Sequence, residues 1–149
     1  MSLFDLINED LKKAMKEREK VKLEAIRAVK TAFLLAKADK GASSVLTEDE
    51  ELKIIQKLVK QRNESAEIYK SQNRIDLYDK ETFEAQVISA YLPEQLTDKE
   101  LTEAVKKIIH TTGASTMKDM GQVMGMASKE LAGKAENKII AAKVKELLG

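Results

Sequence analysis

Cysteine is absent from this 149-residue chain, which removes disulfide cross-links, thiolate–metal centres and cysteine nucleophiles from consideration. Long apolar runs are absent too. None approaches the roughly 20 residues that span a bilayer, so no membrane segment is expected. The amino terminus, MSLFDLINED, has acids where a secretory leader has a basic start, and no apolar stretch followed by small residues. A cytoplasmic protein is therefore expected. Strand signals are scarce, with few β-branched clusters and no sustained period-two alternation, so helical periodicity governs the reading. Histidine occurs once, at His110. A lone imidazole beside two core-type isoleucines, with no matching nucleophile, reads as structural or exposed, and no catalytic residue is assigned. Net charge is only +1, so bulk electrostatics call for neither nucleic acid nor an acidic partner.

What is present is a succession of about seven amphipathic helices. Ser2 with Asp5 starts the first, whose Leu3, Ile7, Leu11 and Ala14 form a stripe ending near Arg18. The second spans Lys20 to Lys40, with Leu23, Ile26, Val29, Phe33 and Ala36 on one side, and stops at Gly41. Thr47 with Glu50 predicts a capping box for the longest helix, ending around Asn73. A fourth holds Leu77, Phe83, Val87, Ile88 and Tyr91 and is halted by Pro93. That proline, the only one, sets the expected boundary between an amino-terminal helical domain, 1–92, and a small domain, 93–149. In the second, Thr97 with Glu100 caps a helix lined by Leu101, Val105, Ile108 and Ile109 that ends at Gly113. Thr116 with Asp119 starts a methionine-bearing helix whose Met120, Met124, Ala127 and Leu131 share a face and which Gly133 ends. The last helix, Asn137 to Leu148, buries Ile140, Val144 and Leu147. The fold class is all-α, about four helices followed by three.

Gly121 and Gly125 stand inside the methionine-bearing helix, where each costs roughly 0.5 to 1 kcal/mol relative to alanine. Spaced four apart on one face, they need a compensating reason. One reading is close packing of another helix. The other is that bare backbone, flanked by Lys118, Lys129 and Lys134 and followed by Gly133, approaches an RNA backbone. Charge distribution adds a second basic candidate. From Lys12 to Lys30 there are eight Lys or Arg against three acids, whereas Thr47 to Leu92 holds seven basic and ten acidic residues. Lys12, Lys16 and Lys20, then Arg27, Lys30 and Lys37, align at helical spacings as a phosphate-facing surface or as an ordinary solvated face.

Two further constellations read as architecture. Glu48, Asp49, Glu50 and Glu51 are consecutive and so radiate around the helix instead of converging on an ion; they suit its positive dipole end. No metal ligand set is assigned. Arg62 falls in the apolar stripe of the longest helix, where a guanidinium needs a carboxylate such as Glu81 or Glu84. A polar network of Arg62, Glu64, Ser65, Arg74 and Glu81 is expected across helices. The spacing G-Q-V-M-G lacks both the strand and the lysine of a phosphate loop, so no nucleotide cofactor is expected.

The ordered set RAVKTAF at Arg27 to Phe33, KQRNES at Lys60 to Ser65, R-x-D-L at Arg74 to Leu77, YLPEQL at Tyr91 to Leu96, KDMGQVM at Lys118 to Met124 and G-K-A at Gly133 to Ala135 resembles the YqeY family. The tail is similar to the carboxy-terminal domain of the GatB subunit of tRNA-dependent amidotransferases. The resemblance implies a non-catalytic, tRNA-associated adaptor whose tail docks on structured RNA, without cofactor. It also implies an alternative: a component of an amidotransferase or another translation-related assembly, with carbon–nitrogen ligase activity and glutamine as amido-nitrogen donor only in the complex. A protein-interaction module using the methionine face is the third reading.

Overall fold

A computed structural model describes residues 2–41 and 43–149. Among the described residues there are seven α-helices, one 3₁₀ turn and no strand. No helix among them is long and apolar enough to cross a membrane. The chain divides into two compact units, Met1–Leu92 and Pro93–Gly149.

The first unit holds α1 (Leu3–Glu17), α2 (Lys20–Lys40), α3 (Glu48–Ser71) and α4 (Ile75–Ser89). Ser2 caps α1 in a full capping box with Asp5, and Arg18 closes it in the left-handed conformation. Its core is Ile7, Ala14, Ala25, Ile26, Val29, Phe33, Ile55 and Ile88, all buried, with Leu3, Phe4, Leu11 and Leu23 packed against them. Tyr91 follows α4 and donates its hydroxyl to the Asp10 carboxylate at 2.6 Å. Burial, reinforced by that acceptor, pushes its ionisation well above the usual phenol range.

Several details depart from the sequence expectation. Only half of the capping box at α3 forms: the Thr47 hydroxyl accepts from the Glu50 amide at 3.2 Å. The Glu50 carboxylate is drawn off to Lys40 Nζ at 2.7 Å and holds the Thr47 hydroxyl instead of its amide. Helix α3 stops at Ser71, two residues early, because Asn73 adopts a positive φ. Helix α4 ends before Tyr91, since Tyr91 and Leu92 donate to carbonyls three residues back and the last turn tightens ahead of Pro93. Phe83 does not join the core; it is 45% exposed. Glu84, Ala85 and Ile88 face inward, and residue 83 lies about 140° from residue 88 around the helix.

The second unit holds α5 (Asp98–Thr112), the 3₁₀ turn Met117–Asp119, α6 (Met120–Glu130) and α7 (Asn137–Leu148). Thr97 and Glu100 form a capping box at α5, and Gly113 ends it in the left-handed region. Leu101, Val105, Ile108, Val123, Ala127, Leu131, Ala135, Ile140 and Val144 build the core. Met120, Met124 and Met126 are only partly buried against it, so the methionines are largely spent on the unit's own packing. Helix α6 ends at Glu130, before Gly133, which sits in the following turn with φ +74°. That turn is held by the first residues of the unit. Leu96 donates its amide to the Lys134 carbonyl at 3.0 Å, and the Gln95 side chain donates to the Gly133 carbonyl at 2.7 Å. The YLPEQL and G-K-A motifs thus meet in space, and Gln95 is a positioning residue that the sequence pattern did not single out.

Candidate nucleic-acid interface

Helix α6 has two distinct sides. Val123 and Ala127 are fully buried, while Lys118, Gly121, Gln122, Gly125 and Lys129 are all exposed. At about 100° per residue, positions 121, 125 and 129 of α6 fall on one side, opposite that core face, and Lys118 stands in the 3₁₀ turn that leads into the helix. Sequence periodicity brings these residues together, and the structure places them on the outside.

The environment of the two glycines decides between the packing and the bare-backbone readings. A Cβ built at Gly121 or Gly125 meets no atom within 4 Å. Close helix packing within the second unit is therefore not the reason for either glycine: the inward face is supplied by Val123 and Ala127 instead. Both have ordinary helical backbone, so neither is required by a turn. Replacement by alanine, Gly121→Ala or Gly125→Ala, is expected to raise stability by about 0.5 to 1 kcal/mol each. Thermal or urea midpoints of the single variants check this; a fall would reveal a steric demand at the site.

The flanking groups are arranged to leave positive charge free. Asp119 turns its carboxylate to the Ser115 and Thr116 amides at 3.0 and 3.3 Å, and these hydrogen bonds hold its ionisation below the usual carboxylate range. Among the described residues Lys118, Lys129 and Lys134 form no ion pair. Gly133 does not belong to this face. It is buried, with its carbonyl occupied by Gln95, and its role is to turn the chain between α6 and α7.

The second unit contains no phenylalanine, tyrosine or tryptophan. Apart from the exposed His110 imidazole no aromatic ring is available there for base stacking, so nucleic-acid contact by the outer face of α6 falls chiefly to phosphate and ribose. A lysine missed by the sequence reading is removed from that role by burial. Lys143 is bound to Asp98 at 3.0 Å and Glu146 at 3.2 Å, and these carboxylates raise its ionisation and keep it charged.

In the first unit Lys12, Lys16 and Lys20 are exposed, as is Arg27, whereas Lys30 is half-buried. Lys37 is half-buried and holds its ammonium 5.0 Å from the centre of the Phe4 ring. The polar constellation resolves into separate pairs. Arg62 Nε lies 3.4 Å from Glu84 Oε2, both largely buried, so Glu84 and not Glu81 supplies the counter-charge. Arg74 pairs locally with Asp76 at 3.3 Å on the surface. Glu64 is exposed, Ser65 and Glu81 are half-buried, and no hydrogen bond joins them to Arg62.

Of the four consecutive acids, Glu51 is the exception to the solvent-facing pattern. It is buried, and it accepts the Phe4 amide, one of the free N–H groups at the start of α1. Burial, the larger influence, raises its ionisation despite that bond. Among the described residues no three His, Asp or Glu side chains come together as a metal-holding group. His110 is exposed in the last turn of α5.

The helical order, the two cores and the motifs that tie Gln95 to Gly133 run through nearly the whole chain. So does a match to the family described as Yqey-like protein, over residues 4–148. The chain belongs to the YqeY family. Two curated proteins similar to it bear the name "Altered inheritance of mitochondria protein 41, mitochondrial". The one from Pyrenophora tritici-repentis is 29% identical over 143 residues, spanning 94% of this chain and 77% of its own length. The one from Clavispora lusitaniae is 30% identical over 130 residues, spanning 87% and 74%. The names of those two relatives place them, and not this chain, in mitochondria.

Proposed function

We propose that this YqeY-family protein is a non-catalytic, tRNA-associated adaptor that docks on folded RNA through the outer face of α6. One observation carries the reading. Gly121 and Gly125 expose bare helical backbone that nothing in the chain requires, at a cost in helix stability, between the unpaired Lys118 and Lys129. A phosphate backbone can approach such a strip more closely than it can a helix with side chains, and the lysines supply the counter-charge. With no aromatic ring on α6, recognition by its outer face is by shape, and different folded tRNAs bind alike.

Titration of labelled tRNA at two salt concentrations tests this. Binding weakens steeply as salt rises, and the double variant Lys118→Glu with Lys129→Glu flattens the dependence of log K on log salt by about two phosphate contacts. Gly121→Ala with Gly125→Ala weakens binding although it stabilises the fold. That opposition of signs separates an interface from a structural role. Binding that is insensitive to salt and to both double variants overturns the proposal.

A second reading is favoured by the similarity of the tail to the GatB carboxy-terminal domain: participation in a tRNA-dependent amidotransferase, with glutamine-derived nitrogen handled by other subunits. Co-purification with such subunits and stimulation of amide formation on misacylated tRNA distinguish it from the adaptor. We read the compartment as cytoplasmic. The relatives' names make mitochondria the alternative, which fractionation of the tagged chain decides.

A further inference from the structure

We propose that an open groove between the start of α2 and the middle of α4 receives an acidic amphipathic helix of a partner protein. The groove, about 450 Å³, is lined by Val21, Phe83 and Val87, with Glu19, Lys20 and Lys22 along its edge. Phe83 is 45% and Val21 38% exposed. Nothing in the first unit demands an aromatic ring at 83, because the inward face of α4 is completed by Glu84, Ala85 and Ile88. A half-exposed phenylalanine beside two valines gives an apolar floor in a concave site, the form in which leucine-type anchors of a helix are received.

Charge names the occupant. From Lys12 to Lys22 there are six basic and two acidic residues. Glu19 is engaged with Lys22 at 3.6 Å, and on the neighbouring surface Lys80 is engaged with Glu24 at 3.4 Å. Lys16, Arg18 and Lys20 form no ion pair among the described residues. An apolar floor with a net positive edge is complementary to a helix with aliphatic residues at i, i+3, i+4 and i+7 and Asp or Glu beside them. An RNA base is served less well. Two valines offer no second flat face to sandwich it, and the groove edge has no amide or hydroxyl side chain to read it.

The test uses the full chain and a fluorescein-labelled amphipathic peptide with leucines at those four positions and glutamates elsewhere, compared with its lysine counterpart and with an oligouridine strand. The glutamate peptide binds, and anisotropy gives an affinity weakened about tenfold by Phe83→Ala and similarly by Lys20→Glu with Lys22→Glu. Phe83→Ala retains the circular dichroism and urea midpoint of the parent, so the loss reads the surface and not the fold. Equal binding of the lysine peptide overturns the proposal, as does indifference to Phe83→Ala. Displacement of the glutamate peptide by oligouridine reassigns the groove to RNA. Loss of peptide binding on self-association, followed by sedimentation, reassigns it to a second copy of this chain.

Discussion

Truncation of Phe33 to alanine is expected to lower the stability of the first unit by about 3 to 5 kcal/mol, the range for removing a fully buried aromatic ring. Phe33 is completely buried and is the largest side chain of the cluster that joins α1, α2, α3 and α4. Its ring also stacks against Phe4 at 6.3 Å between centroids, and Phe4 in turn supports the Lys37 ammonium. The cavity is thus bounded by side chains from several helices, each held by its own backbone, and collapse around it is limited. The measurement is favoured by composition. Tyr69, Tyr78 and Tyr91 all lie in the first unit and the chain has no tryptophan, so tyrosine fluorescence during urea unfolding reports that unit alone. A midpoint close to the parent's would show that Phe33 is not the keystone of the core. A loss seen equally in helical signal from the second unit would show that the two cores do not melt independently.

The second large effect is expected at the ion pair between α3 and α4. Removing the guanidinium by Arg62→Ala leaves the Glu84 carboxylate, 8% exposed, without its counter-charge, and is expected to cost about 3 kcal/mol at neutral pH. The geometry places the value at the low end for buried pairs. Arg62 Nε lies 3.4 Å from the carboxylate but out of hydrogen-bond alignment, and only Nη1 reaches an acceptor, the Leu58 carbonyl at 3.4 Å. The sign of the pH dependence follows from burial, which raises the Glu84 ionisation even with Arg62 present; the like charge of Glu81 adds to this. A carboxyl whose folded value is raised binds its proton more tightly in the native state. Its contribution is therefore most favourable at acid pH and is lost as pH rises from the ordinary glutamate value through the folded one. Glu51 acts in the same direction. The deficit of Arg62→Ala should accordingly shrink between about pH 8 and about pH 5. Urea midpoints at the two values check it, and a deficit independent of pH would mean that lost packing, not the orphaned carboxylate, is responsible.

The elements most readable from sequence are those specified by local chemistry. The second helix, Lys20–Lys40, and the last, Asn137–Leu148, run as the periodicity predicts, because an apolar stripe and a terminal glycine act within a few residues of each other. The capping boxes at Ser2 and Thr97 are of the same kind. What escaped the sequence depends on distant partners. The Glu50 carboxylate abandons the Thr47 amide because Lys40 comes within reach from the preceding helix. Gln95 gains its role only when the turn at Gly133 is folded against it. Glu51 and Lys143 are buried for reasons that no run of neighbouring residues announces. The choice between Glu81 and Glu84 as the partner of Arg62 likewise required the rotation of α4. For the candidate interface, the pattern of lysines and glycines on α6 could be read from spacing alone. Whether those glycines meet a neighbour or open space is a three-dimensional fact that no spacing encodes.

The pairing of Leu96 and Gln95 with the carbonyls of Lys134 and Gly133 sets where the tail can be cut. A protease nick or an expressed fragment beginning at Thr97 would retain α5, α6 and α7 yet strip the hairpin between the last two of both donors, one of them serving the buried Gly133. Such a piece would stay helical while its α6–α7 connection loosened, so amide exchange at the turn would accelerate well before the helices themselves opened. Starting at Pro93 keeps the clasp.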